Sequence, residues 1–146
     1  MSGHGSRSAI VVGVDGSETS LRAAAYAVGS ARRRGTRLVV VYARVPAGGL
    51  AGFMDTTGAS RAMALHEQDR IEQALEQART EAVTEGVAIE LLVRAGDPYQ
   101  VLSEVADELH ADCVVVGSSE SLGHRVAGSI AVRLVRGARW PVTVVP

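Results

Sequence analysis

Two short stretches hold the residues best suited to bind a phosphorylated ligand. VDGSETS places Asp15 directly after an apolar run, and GSSESLGHRVAGS ends in Gly128 and Ser129, just before a helical pattern that begins near Ile130. A glycine lets the backbone approach a phosphate, and the free amides at a helix start attract anions. The Asp15 carboxylate can accept a hydrogen bond from an adenine amino group or a ribose hydroxyl. Both stretches suit plain helix caps equally well, so the residues alone leave binding and structural roles open.

Other kinds of chemistry lack the residues they need. The sequence has no lysine and no GxxxxGK[ST] pattern, which excludes a P-loop, and GVDGS does not match the GxGxxG fingerprint. Its single cysteine, Cys113, lies in an apolar run that is typical of a buried thiol. None of the four histidines is paired in sequence with an evident nucleophile. We therefore predict no dedicated enzymatic activity, and at most slow ATP hydrolysis.

Length and charge favour one globular domain with no nucleic-acid or membrane partner. The chain has 146 residues, 47% of them hydrophobic, and a formal net charge of −1. No apolar run approaches the roughly 20 residues of a membrane-spanning helix, and MSGHGSRS lacks the apolar core of a signal peptide. The basic run ARRRG fits the last turn of a helix before a terminating glycine. We predict a cytoplasmic protein whose residues 1–146 form one domain, with a flexible tail at 1–7.

The apolar pattern alternates between strands and helices. Five short valine-rich runs are typical of strands buried on both faces, and they cover 9–14, 37–43, 87–93, 113–117 and 141–146. Between them, apolar residues recur at the spacing of one helix face. The order predicts an α/β fold, a doubly wound domain with a five-stranded parallel sheet in the order 3-2-1-4-5 and helices on both faces.

The residues between these elements are those expected at helix starts and in loops. Ser17 or Asp15 can cap the first helix, and Asp97 stands before Pro98 where a later helix should begin. The glycine-rich stretch 44–60 after strand two is predicted to be a flexible loop, which either covers a ligand or is a plain insertion.

The predicted strand order also places the ligand. In open parallel sheets, ligands bind beyond the carboxyl ends of the strands, at the point where the strand order reverses. Here that point lies between strands one and four. Asp15 follows strand one and Gly117 ends strand four, so the two stretches should meet there.

The order and spacing of the longer motifs resemble those of the universal stress protein family. VGVDGSETSLRAAAYAV is similar to the family's opening, RAGDPYQVLSEVADELHADCVVVGS to its third quarter and GSIAVRLVRGARWPVTVVP to its ending, so the likeness covers about residues 8–146. The resemblance implies a flavodoxin-like domain that forms a homodimer through its last strand. It also implies one of two functional kinds, members that bind ATP and members that do not.

In the ATP-binding kind, adenine lies near the aspartate after strand one and the backbone that ends strand two, and a glycine-rich loop holds the phosphates. The matching positions are Asp15, the Ala43 backbone, Gly117, Gly128 and Ser129, followed by the helix start at Ile130. The match fails in the middle of the loop, because Glu120 replaces a glycine and the spacing to Gly128 is two residues short. A carboxylate near a phosphate costs about 1 kcal/mol in water and about 4 kcal/mol in a partly shielded site. Arg125, His124 or a magnesium ion could offset that repulsion.

Two functions follow from these features. The first is a stress-response protein that binds ATP, with Mg²⁺ if the nucleotide is bound, at the carboxyl ends of strands one and four. The second is a homodimeric interaction module that binds other proteins and no ATP. It is favoured by Val142, Val144 and Val145, because a valine-rich strand at the edge of a sheet invites pairing with another chain.

Overall fold

The computed structural model describes residues 8–45, 58–118 and 130–146. In chain order they form β1 (Ala9–Val14), α1 (Glu18–Arg34), β2 (Arg37–Arg44), α2 (Ala59–Thr84), β3 (Ile89–Ala95), α3 (Pro98–Glu108), β4 (Cys113–Gly117), α4 (Ile130–Gly137) and β5 (Val142–Val145). The predicted tail at 1–7 lies outside the described residues, as does most of the predicted loop at 44–60. The ends of that loop differ from the prediction: Arg44 pairs with Ala95 and stays in β2, and α2 begins at Ala59.

The strands form one parallel sheet in the order β3-β2-β1-β4-β5, which confirms the predicted α/β fold and strand order. Strand β1 is central: Ile10 lies between Leu38 of β2 and Cys113 of β4. Its side chains are covered on both faces of the sheet, which explains why its sequence is continuously apolar rather than alternating.

Helices cover the sheet on both faces and divide the core into two clusters. On one face, Ile10, Val12 and Leu38 pack with Ala23 of α1 and Leu75 of α2. The other face buries a second set against α3 and α4, comprising Val11, Val39, Val114, Val105 and Leu134. Successive residues of the inner strands therefore enter different clusters, as the two-residue period of a strand requires.

The structure shows which of the two candidate residues, Asp15 or Ser17, caps α1. Ser17 is the N-cap, and its hydroxyl accepts a hydrogen bond from the Ser20 backbone N–H at 3.2 Å. Asp97 caps α3 by accepting from the Gln100 backbone N–H at 3.0 Å, with Pro98 at the first helical position as predicted. Both caps satisfy amides that have no partner within their own helix.

Strand β3 lies two residues later than its apolar run suggested. The sequence predicted 87–93, whereas the strand covers Ile89–Ala95 because its pairing follows β2 from Leu38 to Arg44. Its side chains are half-buried or exposed rather than covered on both faces. As an edge strand it has one open side, which accommodates the charged Glu90 and Arg94.

Candidate functional site

The carboxyl ends of β1, β2 and β4 bring three of the predicted site residues to one edge of the sheet. Val14 lies opposite Tyr42 of β2, and Val12 lies opposite Val115 of β4, so the residues that follow these pairs emerge side by side. Asp15 follows β1, Ala43 is near the end of β2 and Gly117 ends β4. Ile130 begins α4. The remaining predicted residues, Gly128 and Ser129, lie outside the described part of the chain, as does Glu120.

Asp15 lies in a tight turn that fixes its carboxylate. The Ser17 backbone N–H donates to Asp15 Oδ1 at 2.8 Å, and the Asp15 backbone N–H donates to Ser20 Oγ at 3.2 Å. Burial is the largest influence on the Asp15 pKa and raises it, but the hydrogen bonds from Ser17 and Ser20 together outweigh burial, so the pKa is lowered. Asp15 is therefore ionised at neutral pH and can accept hydrogen bonds from a ligand.

The turn after Asp15 is held against α2. Gly16 has a φ of +84°, in the left-handed region that glycine adopts without strain. A Cβ atom at this position would also lie 2.8 Å from Cδ1 of Ile71 in α2. The position of Asp15 is therefore set by α2 as well as by β1.

Gly117 has a packing role that the sequence did not reveal. A Cβ atom on this residue would lie 2.6 Å from the backbone carbonyl carbon and oxygen of Thr19, in the first turn of α1. The end of β4 therefore lies directly against the start of α1, where only glycine fits. In that first turn Ser17 already accepts from the backbone N–H groups of Ser20 and Leu21. The start of α1 is thus capped and covered from within the protein.

The backbone of Ala43 extends beyond the last residue of β1. Strand β1 ends at Val14, opposite Tyr42, whereas β2 continues through Ala43 and Arg44 alongside β3. Within the described chain, Ala43 therefore has no strand partner on its β1 side. This is the place where the family resemblance implies a backbone contact with adenine.

Three hydrogen bonds join the end of β2 to α2, and we call this set the Arg44 clamp. The Arg44 guanidinium donates to Gln68 Oε1 at 3.2 Å, to Glu72 Oε2 at 3.1 Å and to Asp69 Oδ1 at 2.9 Å. Sequence reasoning missed the clamp, because its members are 24 to 28 residues apart. The one available signal was an arginine at the end of a valine-rich strand.

A groove of about 490 Å³ lies beside the clamp, between α2 and β3. Its lining is rich in carboxylates and consists of Arg44, Asp69, Glu72, Gln73, Glu76 and Leu91. Carboxylates repel phosphate, and Arg44 is already paired with two of them. The groove therefore does not suit an anionic ligand, and the carboxyl ends of β1 and β4 remain the better candidate.

The start of α4 is attached to the start of α3 by Arg133. Its guanidinium carbon lies 3.9 Å from the centre of the Tyr99 ring, and its Nη1 lies 3.7 Å from Oδ2 of Asp97. This contact combines a cation–π interaction with an ion pair. It fixes the first turn of α4 relative to the carboxyl end of β3.

The described ranges contain neither a candidate metal cluster nor a candidate membrane-spanning helix. In residues 8–45, 58–118 and 130–146, no group of three or more His, Cys, Asp or Glu side chains could hold a metal ion. None of the helices placed by the structure is long and apolar enough to cross a membrane.

The family is decided by a match over almost the whole chain. The model of the universal stress protein family matches residues 7–146. The chain belongs to the universal stress protein family. A universal stress protein of Mycobacterium tuberculosis is 35% identical over 139 residues, which are 94% of this chain and 48% of that protein. The chain thus spans about half the length of this relative.

Solved structures of the family share the fold. A universal stress protein family member from Burkholderia pseudomallei is 28% identical, with a TM-score of 0.73 and coverage of 96% of both chains. A universal stress protein solved in complex with cAMP is also 28% identical, with a TM-score of 0.65 and coverage of 95% of this chain and 96% of that one. The resemblance inferred from the sequence motifs is confirmed.

Proposed function

We propose that this universal stress protein binds an adenine nucleotide at the carboxyl ends of β1 and β4, with ATP as the expected ligand. The observation that carries the proposal is the ionised Asp15, held in its turn at the end of β1, where Ala43 of β2 has no strand partner on the β1 side within the described chain. This is the point where the strand order reverses, and open α/β sheets bind ligands there. The similar universal stress protein that was solved with cAMP supports an adenine nucleotide.

The proposed site divides the nucleotide between two groups of residues. Asp15 and the Ala43 backbone contact the base or the ribose. Gly117, Gly128, Ser129 and the amides from Ile130 onward form the phosphate side, as the family resemblance implies. Mg²⁺ would enter on the phosphates, because this ion keeps several waters and binds through phosphate oxygens more readily than in an all-protein cage.

The test starts from the small molecules that the protein carries. Freshly purified protein is denatured and the released compounds are identified by mass spectrometry, and its thermal unfolding is measured with and without ATP and Mg²⁺. A ligand at about 100 times its Kd stabilises the folded state by about 2.7 kcal/mol, so a rise in the unfolding midpoint is expected. Absence of both a retained nucleotide and a midpoint shift would contradict the proposal.

A second candidate function is a homodimeric module that presents surfaces to other proteins. The two edges of the sheet differ in a way that favours pairing at β5. The β3 edge carries the charged residues Glu90 and Arg94, which oppose pairing with another strand. Strand β5 has no charge, and Val144 is 42% exposed. We propose that two copies pair through Val142, Val144 and Val145.

Sedimentation at micromolar concentration tests the homodimer. A dimer is expected, and a monomer would contradict it. Pairing of two copies is compatible with nucleotide binding, because the nucleotide site lies at the carboxyl edge of β1 and the pairing strand lies at the side of the sheet. The two functions therefore differ in whether ATP binds, which the mass-spectrometric test decides. The cytoplasmic location that the sequence predicts belongs to the same proposal and is tested by cell fractionation.

A further inference from the structure

Tyr42 lies near the end of β2 with its side chain almost completely buried. It is opposite Val14 of β1 and Val93 of β3, and its exposed fraction is 4%. The side chain belongs to the core cluster on the α1 and α2 face, together with Val14 and Leu75. Because Asp15 directly follows Val14, the ring lies next to the turn that carries the candidate carboxylate.

The hydroxyl of Tyr42 has no hydrogen-bond partner among the residues that the structure places. A buried tyrosine hydroxyl normally has one, because leaving it without a partner is unfavourable. Among the described residues, Nε of Arg37 is the only fully buried side-chain nitrogen or oxygen without a hydrogen-bond partner. The Tyr42 hydroxyl is therefore not fully enclosed, so a group other than these residues can supply its hydrogen bond.

Tyr42 is the third residue from the end of β2, so charged groups at the carboxyl edge of the sheet act on its hydroxyl. Burial raises the Tyr42 pKa, the positive charge of Arg44 lowers it, and the negative charges of Glu72 and Asp15 raise it again, with a net increase. The hydroxyl is therefore protonated at neutral pH and can donate a hydrogen bond. Ionised Asp15 next to it can only accept.

We infer that the Tyr42 hydroxyl forms a hydrogen bond with the base or ribose of the bound nucleotide, beside Asp15. The inference rests on the proposed function and adds a residue that determines how the nucleoside part is recognised. A donor next to an acceptor suits an adenine edge, which shows an amino group beside a ring nitrogen, or a ribose with its neighbouring hydroxyls. The phosphates are not its expected partner, because Tyr42 lies on β2 and the phosphate side follows β4, with β1 between the two strands.

The test removes only the hydroxyl. Tyr42→Phe is compared with Tyr26→Phe, the same change on an exposed tyrosine of α1, and with the unmodified chain. Affinities for ATP and AMP are measured by calorimetry at neutral pH, and the unfolding midpoint is measured in parallel. Loss of one hydrogen bond should weaken both nucleotides by the same factor, about threefold to tenfold. The midpoint should not fall, because no hydrogen bond within the protein is lost. Tyr26→Phe should change neither property.

Any other result would overturn the inference, and each result would identify a different reason. Unchanged affinity in Tyr42→Phe would refute the contact and leave nucleotide binding standing. A loss with ATP but not with AMP would place the contact on the outer phosphates, against the inference. A fall in the unfolding midpoint would reveal a partner within the protein. If the unmodified chain binds neither nucleotide, the proposed function fails and this inference fails with it.

Discussion

Asp15 is the residue on which the proposed site depends most, because it alone supplies an ionised acceptor at the carboxyl end of β1. Its turn provides hydrogen bonds that outweigh the effect of burial and keep the carboxylate charged. The serines that provide them also cap α1 or pack in its first turn. One short segment therefore starts a helix and prepares a ligand contact.

Replacing Asp15 by Asn should weaken ATP binding by roughly tenfold to a hundredfold, because a hydrogen bond to a charged group contributes about 1.5–3 kcal/mol. The measurement is calorimetric titration with ATP and Mg²⁺. Asp112→Asn is the matched control, since Asp112 precedes β4 at the opposite edge of the sheet. Equal affinity of Asp15→Asn and the unmodified chain would remove Asp15 from the site.

The lowered pKa of Asp15 also predicts how stability depends on pH. A carboxyl whose pKa is lower in the folded state stabilises that state at pH values above its unfolded pKa, about 3.9 for aspartate, and this contribution is lost as the pH falls through the folded pKa. The free energy of unfolding of the unmodified chain should therefore exceed that of Asp15→Asn above about pH 5. The difference should shrink below about pH 4. A difference that stays constant from pH 7 to pH 3 would show that the charge is not involved.

Gly117→Ala should lower the free energy of unfolding by about 1–3 kcal/mol, because the new methyl group meets the Thr19 backbone, which cannot move aside easily. Gly29→Ala is the matched control in the interior of α1, where the nearest atom is the flexible Arg33 Nη1 at 3.2 Å. The control should be neutral or stabilising, since alanine favours a helix by about 1 kcal/mol over glycine. Unchanged stability in Gly117→Ala would show that the end of β4 can accommodate a methyl group against Thr19.

At the scale of elements, the Arg44 clamp determines where α2 lies against the end of β2. Its guanidinium binds three side chains of α2, and the Arg44 side chain is only 28% exposed. Because α2 also contacts the turn after Asp15 through Ile71, the clamp helps to define the β1–β2 side of the site.

Arg44→Met should lower the free energy of unfolding by about 1–2 kcal/mol, since it leaves Asp69 and Glu72 without their shared cation. Arg70→Met is the control, because Arg70 pairs with Glu67 on the exposed surface of α2 and should cost under about 0.5 kcal/mol. Urea unfolding measures both variants. If the two losses are equal, the clamp is no more than another surface ion pair.

At the scale of the whole molecule, the two edges of the sheet predict how copies assemble. Val144→Lys should convert the proposed homodimer into a monomer, because a lysine on an edge strand opposes pairing. Val83→Lys is the matched control on α2, at a valine that is 46% exposed and remote from β5 in the sheet order. Sedimentation should give a dimer for the control. A Val144→Lys variant that remains a dimer would show that the copies pair elsewhere.

The sequence by itself determined the fold and the edge of the sheet that carries the candidate site. The valine-rich runs gave the bounds of β1 and β4 correctly, and the alternation with helical patterns predicted the strand order 3-2-1-4-5. These features follow from the period at which apolar residues recur, and short stretches of the sequence show that period directly. The motifs in their order were sufficient for the family as well.

Only the tertiary structure decided what individual side chains contact. It selected Ser17 over Asp15 as the cap of α1, placed β3 two residues later, and revealed that Gly117 lies against Thr19. It also showed that Tyr42 is buried without a partner for its hydroxyl among the described residues. These outcomes depend on how side chains distant in sequence pack together, and no local pattern of apolar and polar residues records that packing.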